Sequence, residues 1–138
     1  MRPPSPQLNL VLAWLWILLG FASGMVLGLF FHRDDWLGGY GSFRRRLYRL
    51  AHISFFGLGA VNLLFWLTVK NLSAPGATLG LASCAFALGA VTMPLCCVLT
   101  AHMPKARVLF AVPVVSLITG AVLMLVLLNP QPSTFKIP

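Results

Sequence analysis

A chain of 138 residues that is 59% hydrophobic and only 9% charged is not an ordinary water-soluble globule, because soluble domains carry roughly 25% charged residues. Its formal charge of +8 does not mark a nucleic-acid surface either. Long apolar runs separate the basic residues, and no continuous basic stripe forms.

The opening "MRPPSPQLNLVLAWLWILLGFASGMVLGLFF" starts with a positive residue, as a signal peptide does. Its apolar run far exceeds the roughly 7 to 15 residues of a signal h-region, so residues 8–31 are read as a retained span. Gly20, Gly24 and Gly28 form a GxxxGxxxG row on one face, the kind of surface that lets membrane helices approach closely. His32 follows Gly28 by four positions and shares that face. Asp34 and Asp35, the only carboxylate side chains in the chain, are expected to pair with Arg33 or with Arg44, Arg45 and Arg46. Trp36 and Tyr40 in "WLGGYGSF" suit a membrane interface.

"FRRRLYRLAHISFFGLGAVNLLFWL" leads into a second span, residues 47–69. His52 is expected about one turn inside it. Ionisable groups within a span are rare and are functional candidates by default. Arg45, His52 and Gly59 are spaced by seven, which places them on nearly one helical face. Asn62, further in, is expected to hydrogen-bond between helices. "NLS" at 71–73 matches a glycosylation sequon, a pattern common by chance.

The third span, 78–100, holds Cys84, Cys96 and Cys97, a placement that argues against a disulfide framework. The fourth, 105–129, carries Ser116 and Gly120 as a small-xxx-small pair. Pro94 and Pro113 should each kink their helix and free a backbone carbonyl, and kinks at similar depth would open a cavity. His102 falls in "TAHMPKAR", expected to be the tight loop between these spans.

Four spans joined by short loops imply an all-α integral membrane protein, a single transmembrane domain built as an antiparallel four-helix bundle. Arg33, Arg44, Arg45, Arg46 and Arg49 flank the first connection and Lys105 and Arg107 the third, against Lys70 alone at the second. Lys and Arg in short loops are retained on the cytoplasmic side. Both termini, with Arg2 and Lys136 in the tails, are therefore expected on the non-cytoplasmic side.

That topology brings His32, His52 and His102 to one rim. Imidazole ligates haem iron, copper or zinc, and thiolate or thioether adds affinity for soft metals. His52 beneath an arginine cluster suits haem b, whose anionic propionates pair with Arg45 and Arg49. Gly57 and Gly59 would give the porphyrin room, and His102, then His32, are the candidates for a second axial ligand. No HExxH, GxSxG or phosphate-cradling glycine loop marks an enzyme. A coupled transporter usually needs a carboxylate at mid-depth, and none of the spans supplies one.

"AHMPKARVLFAVPVVSLITGAVLMLVLL", together with "RLYRLAHISFFGLG", resembles small multi-helix bacterial membrane proteins associated with cytochrome oxidase assembly. The resemblance implies a haem-handling or respiratory role, with His52 and His102 matching histidines at the starts of helices. The leading expectation is a protein of the bacterial inner membrane that binds haem b or a metal near its cytoplasmic face in an electron-transfer assembly. The alternative is a cofactor-free accessory subunit or assembly factor, its glycine rows and arginine loop contacting other membrane subunits or lipid headgroups.

Overall fold

The computed structural model describes residues 7–70, 72 and 76–129. Arg2, Lys136 and the sequon at 71–73 lie wholly or partly outside the described residues. The elements are α1 (Gln7–Leu29), a single 3-10 turn (Trp36–Gly38), α2 (Phe43–Val69), α3 (Gly76–His102), a 3-10 stretch (Pro104–Phe110) and α4 (Ala111–Leu128). Taking the 3-10 stretch with α4, four helical segments of 23 to 27 residues are long and apolar enough to cross a bilayer, which needs about 20 residues at 1.5 Å rise each. Phe21, Met25, Leu81, Val115 and Leu125 are among the many large apolar side chains on the outside. This is a membrane protein whose outer surface meets lipid.

Two of the differences from the expected span limits move a histidine. α2 begins at Phe43, because the Ser42 hydroxyl caps it by accepting from the Arg45 N–H at 3.1 Å. His52 is therefore more than two turns into the helix. α3 continues to His102, so this histidine ends a helix instead of sitting in a loop.

Helices adjacent in sequence pack together, α1 also touches α3, and among the described residues the α4 backbone approaches only α3 and the 3-10 stretch before it. Missing side chains make room for these contacts. A methyl at Gly20 would come within 2.8 Å of the Phe56 ring, and one at Gly24 within 2.8 Å of His52. Gly28, the third member of the row, has nothing within 4 Å. In return, Gly59 lies against the α1 backbone at Ala13 and against Trp16 and Ile17. It serves helix packing, and Gly57 faces outward. α3 and α4 interlock the same way, Leu117 filling the space over Gly89 and Phe86 that over Gly120.

Polar atoms inside the protein are matched across helices. Asn9 Nδ2 donates to Asn62 Oδ1 at 2.7 Å and to the Ser83 carbonyl at 3.3 Å, and the Ser83 hydroxyl donates to Asn9 Oδ1. Asn62 Nδ2 donates to the Leu58 carbonyl at 2.8 Å. This buried group joins α1, α2 and α3. In a membrane such bonds contribute about 0.6 kcal/mol each on average and up to about 1–2.

The carbonyl freed by the interior proline of α3 is served by a neighbour. Pro94 lacks the N–H that Ala90 O would receive, and Trp16 Nε1 donates to that oxygen at 3.0 Å. Pro113, expected within a span, instead stands third in α4, and the Leu109 carbonyl accepts from the Ala111 N–H with Cys96 Sγ 3.5 Å away. Freed carbonyls in lipid need such partners.

A candidate cofactor cleft beside His52

Where α1 ends and α2 begins, a cleft of about 270 Å³ opens between α1, α2 and α3. α2 contributes Tyr48, Ala51, His52 and Phe55, α1 contributes Ser23, Val26 and Leu27, and Trp36 and Val98 close it. Tyr48, His52 and Phe55 share a face because they lie four and three residues apart on one helix. A second groove, about 340 Å³ and lined by Trp16, Phe55, Val91, Pro94, Leu95 and Val98, adjoins the first through Phe55 and Val98. Pro94 lines this groove but Pro113 does not, so it is not the cavity between two kinked helices that the sequence suggested.

The surface that lines the cleft is almost wholly apolar, and His52 is part of its wall. Its Nδ1 lies 3.0 Å from Ser23 Oγ, and Ser23 Oγ lies 3.0 Å from the Gly20 carbonyl. One hydroxyl has one proton. Both bonds hold together only if Ser23 donates to Gly20 O and accepts from a protonated His52 Nδ1. In a neutral ring this places the proton on Nδ1 and the lone pair on Nε2. Gly24 gives the ring its place, and Phe56 meets it edge-on at 5.4 Å and 87°. Among the described residues Nε2 has no hydrogen-bond partner.

One turn earlier, Tyr48 Oη lies 2.8 Å from His102 Nε2. This bond ties α2 to the last residue of α3. Arg44 spans the same gap, its Nε donating to the Ala101 carbonyl at 3.3 Å.

Arg45, placed on sequence grounds against a propionate, turns inward and is only 2% exposed. It donates to the carbonyls of Phe31 at 3.0 Å and Arg33 at 3.2 Å, just past the end of α1. Its guanidinium lies over the rings of Phe31, Trp36 and Tyr40 at 5.0 to 5.7 Å. Carbonyls at a helix C-terminus carry partial negative charge, and each cation–π contact adds about 0.5–2 kcal/mol. These contacts hold a buried cation without a carboxylate. Asp34 and Asp35, expected as partners, are both exposed. Arg49 lies over Tyr40 at 4.6 Å and reaches its carbonyl at 3.4 Å.

The three histidines are placed differently from one another. His52 lines the cleft, His102 is exposed and bonded to Tyr48, and His32 is exposed beyond α1. Among the described residues no three His, Cys, Asp or Glu side chains gather as a metal site. Of the three, His52 alone lines the cleft. The second ligand expected from His102 or His32 is not brought to the cleft. The described cysteines, Cys84, Cys96 and Cys97, are free thiols. Ser23, Tyr48 and Trp36 were not among the sequence-derived site residues. Ser23 adjoins Gly24, and Tyr48 precedes His52 by four, a signal that was legible.

Comparison with known protein families, with characterised proteins and with solved structures finds no match to this chain.

Proposed function

We propose that this protein holds a redox cofactor in the cleft beside His52, as part of a respiratory or electron-transfer assembly in the bacterial inner membrane. Its four spans run antiparallel, with both termini on the non-cytoplasmic side and the cleft near the cytoplasmic face. Antiparallel packing is supported by the pairing of Asn9 with Asn62 and of Gly24 with His52, and orientation by the arginines around the first connection. The observation that carries the functional reading is the Ser23–His52 bond. An oxygen partner on Nδ1 is how proteins fix a ligand histidine's tautomer and raise the basicity of its other nitrogen. With haem b or a soft metal as the cofactor, His52 supplies the ligating nitrogen, and the bound group supplies the electron chemistry.

The second reading is a cofactor-free accessory subunit. It is favoured by Arg45 and His102, whose polar atoms are engaged within the protein itself. Purification of the full chain in mild detergent separates the two. The cofactor reading expects a stoichiometric redox-active compound, found by visible spectroscopy, metal analysis or solvent extraction, and lost in His52→Ala. A colourless protein with no such compound, copurifying with a defined respiratory complex, supports the accessory role instead.

A further inference from the structure

The basic side chains at the rim divide into two sets. Arg45 is turned inward to the carbonyls of Phe31 and Arg33, Arg49 lies over Tyr40, and Arg33 lies over Phe30. Lys105 and Arg107, in the 3-10 stretch between α3 and α4, are exposed. Arg44 is exposed as well, and its Nε donates to the Ala101 carbonyl at 3.3 Å. A cation from the start of α2 therefore stands at the end of α3, next to the connection that carries Lys105 and Arg107. We propose that these three side chains hold the phosphate of an anionic phospholipid whose acyl chain lies in a groove between α3 and α4.

Charge is the first argument. The two carboxylate side chains of the protein, Asp34 and Asp35, belong to the connection between α1 and α2, so none lies on the segment with Lys105 and Arg107. Basic side chains at a membrane surface attract anionic headgroups, and basic hollows beside membrane helices bind phosphate-bearing lipids. Guanidinium matches phosphate oxygens in a two-pronged contact. Arg44 uses Nε on a carbonyl, and a guanidinium has four further N–H donors.

Continuity with an apolar groove is the second argument. A groove of about 710 Å³ has Leu81 and Leu88 of α3 on one wall and Ala111, Val115, Thr119 and Leu123 of α4 on the other. The α4 residues recur every four positions and so form one face. Ala111 directly follows the basic 3-10 stretch, so the groove starts at the cations. From Ala111 to Leu123 it extends about 18 Å along the span at 1.5 Å per residue. Its lining is almost wholly apolar, which suits a hydrocarbon chain. No residue lines both this groove and the cleft beside His52, so the lipid site is independent of the cofactor reading.

These two features together select the occupant. A second copy of the chain would bring the same positive charge to this end and be repelled. A soluble phosphate has nothing to place in the groove. A lipid with an anionic head and an apolar chain satisfies both.

The test uses the full-length protein, freed of lipid in mild detergent and titrated with phosphatidylglycerol, phosphatidylcholine or glycerol phosphate. Native mass spectrometry counts the bound molecules. Phosphatidylglycerol, with its net negative charge, should bind tighter than phosphatidylcholine by on the order of tenfold. Glycerol phosphate, which has no chain, should not bind at the same concentrations. Lys105→Gln with Arg107→Gln should abolish the preference, and circular dichroism should stay unchanged because both side chains are exposed. Arg33→Gln with Arg46→Gln removes equal charge from other exposed positions, Arg46 lying on a different side of α2 from Arg44, and should leave the preference intact. Thr119→Trp, on the exposed wall of the groove, should weaken both phospholipids. Equal affinity for the two phospholipids overturns the proposal. So does a preference lowered equally by both double variants, binding of glycerol phosphate as tight as that of phosphatidylglycerol, or lipid binding indifferent to Thr119→Trp.

Discussion

Trp16 Nε1 donates to the carbonyl of Ala90 at 3.0 Å, the one oxygen that Pro94 deprives of its helical N–H. Proline and tryptophan thus form a pair across α1 and α3, although 78 positions separate them in the chain. Trp16→Phe removes the donor together with part of a buried ring, so its cost includes lost packing in any background. In a Pro94→Ala background the helix supplies its own N–H, and the same change should cost about 1–2 kcal/mol less than it does beside Pro94. Equilibrium unfolding of the four variants in mixed micelles measures this coupling.

The buried amides make a similar statement about α1, α2 and α3. Asn62→Leu leaves Asn9 and Ser83 bonded to each other, whereas Asn9→Leu breaks contact with both partners. Asn9→Leu should therefore be the more damaging, by about 1 kcal/mol, and the double variant should be clearly less than additive. Unfolding midpoints of the single and double variants check the order.

The glycine row of α1 divides into working and idle members. Gly24→Ala would push against His52, whereas Gly28→Ala meets open space. Gly24→Ala should destabilise by at least about 1 kcal/mol and weaken any ligand held by His52. Gly28→Ala should be neutral or slightly stabilising, because alanine has the higher helix propensity. Thermal midpoints with and without ligand distinguish these outcomes.

Thr100 presents the opposite situation. It is 1% exposed, and its hydroxyl has no hydrogen-bond partner among the described residues. Thr100→Val removes an unsatisfied buried group at nearly constant shape. It should raise stability by up to about 1 kcal/mol, whereas most substitutions at buried positions lower it. A fall in thermal midpoint would show that Thr100 has a partner after all.

Much of the fold was legible because span length is a property of composition. Runs of about 20 apolar residues announce crossings whatever surrounds them. Asn62 and His52 also stood out, since polar groups are conspicuous in such runs. Helix rotation was much harder to read. α1 is apolar over most of its surface, and lipid is as apolar as the interior, so beyond the glycine row little reveals that Asn9, Ala13 and Trp16 face inward with Gly20. Arg45 was misleading for a different reason. A cation at a membrane rim is expected to face water or a ligand's anion, yet here the carbonyls past α1 and three aromatic rings hold it. His102 depended on a helix end, and the tightening of residues 104–110 into 3-10 geometry has no clear sequence signal beyond Pro104. The Ser23–His52 bond joins positions 29 apart, and only the relative rotation of α1 and α2 creates it.

The protonation pattern of the His52 ring tests the central claim most directly. Nitrogen-15 NMR of the full-length protein, labelled at histidine and held near neutral pH in micelles or nanodiscs, resolves the two ring nitrogens. A free lone pair at Nε2 predicts a protonated Nδ1 and an unprotonated Nε2 in wild type, with the preference lost in Ser23→Ala. A proton resident on Nε2, or a pattern indifferent to Ser23, would contradict the account.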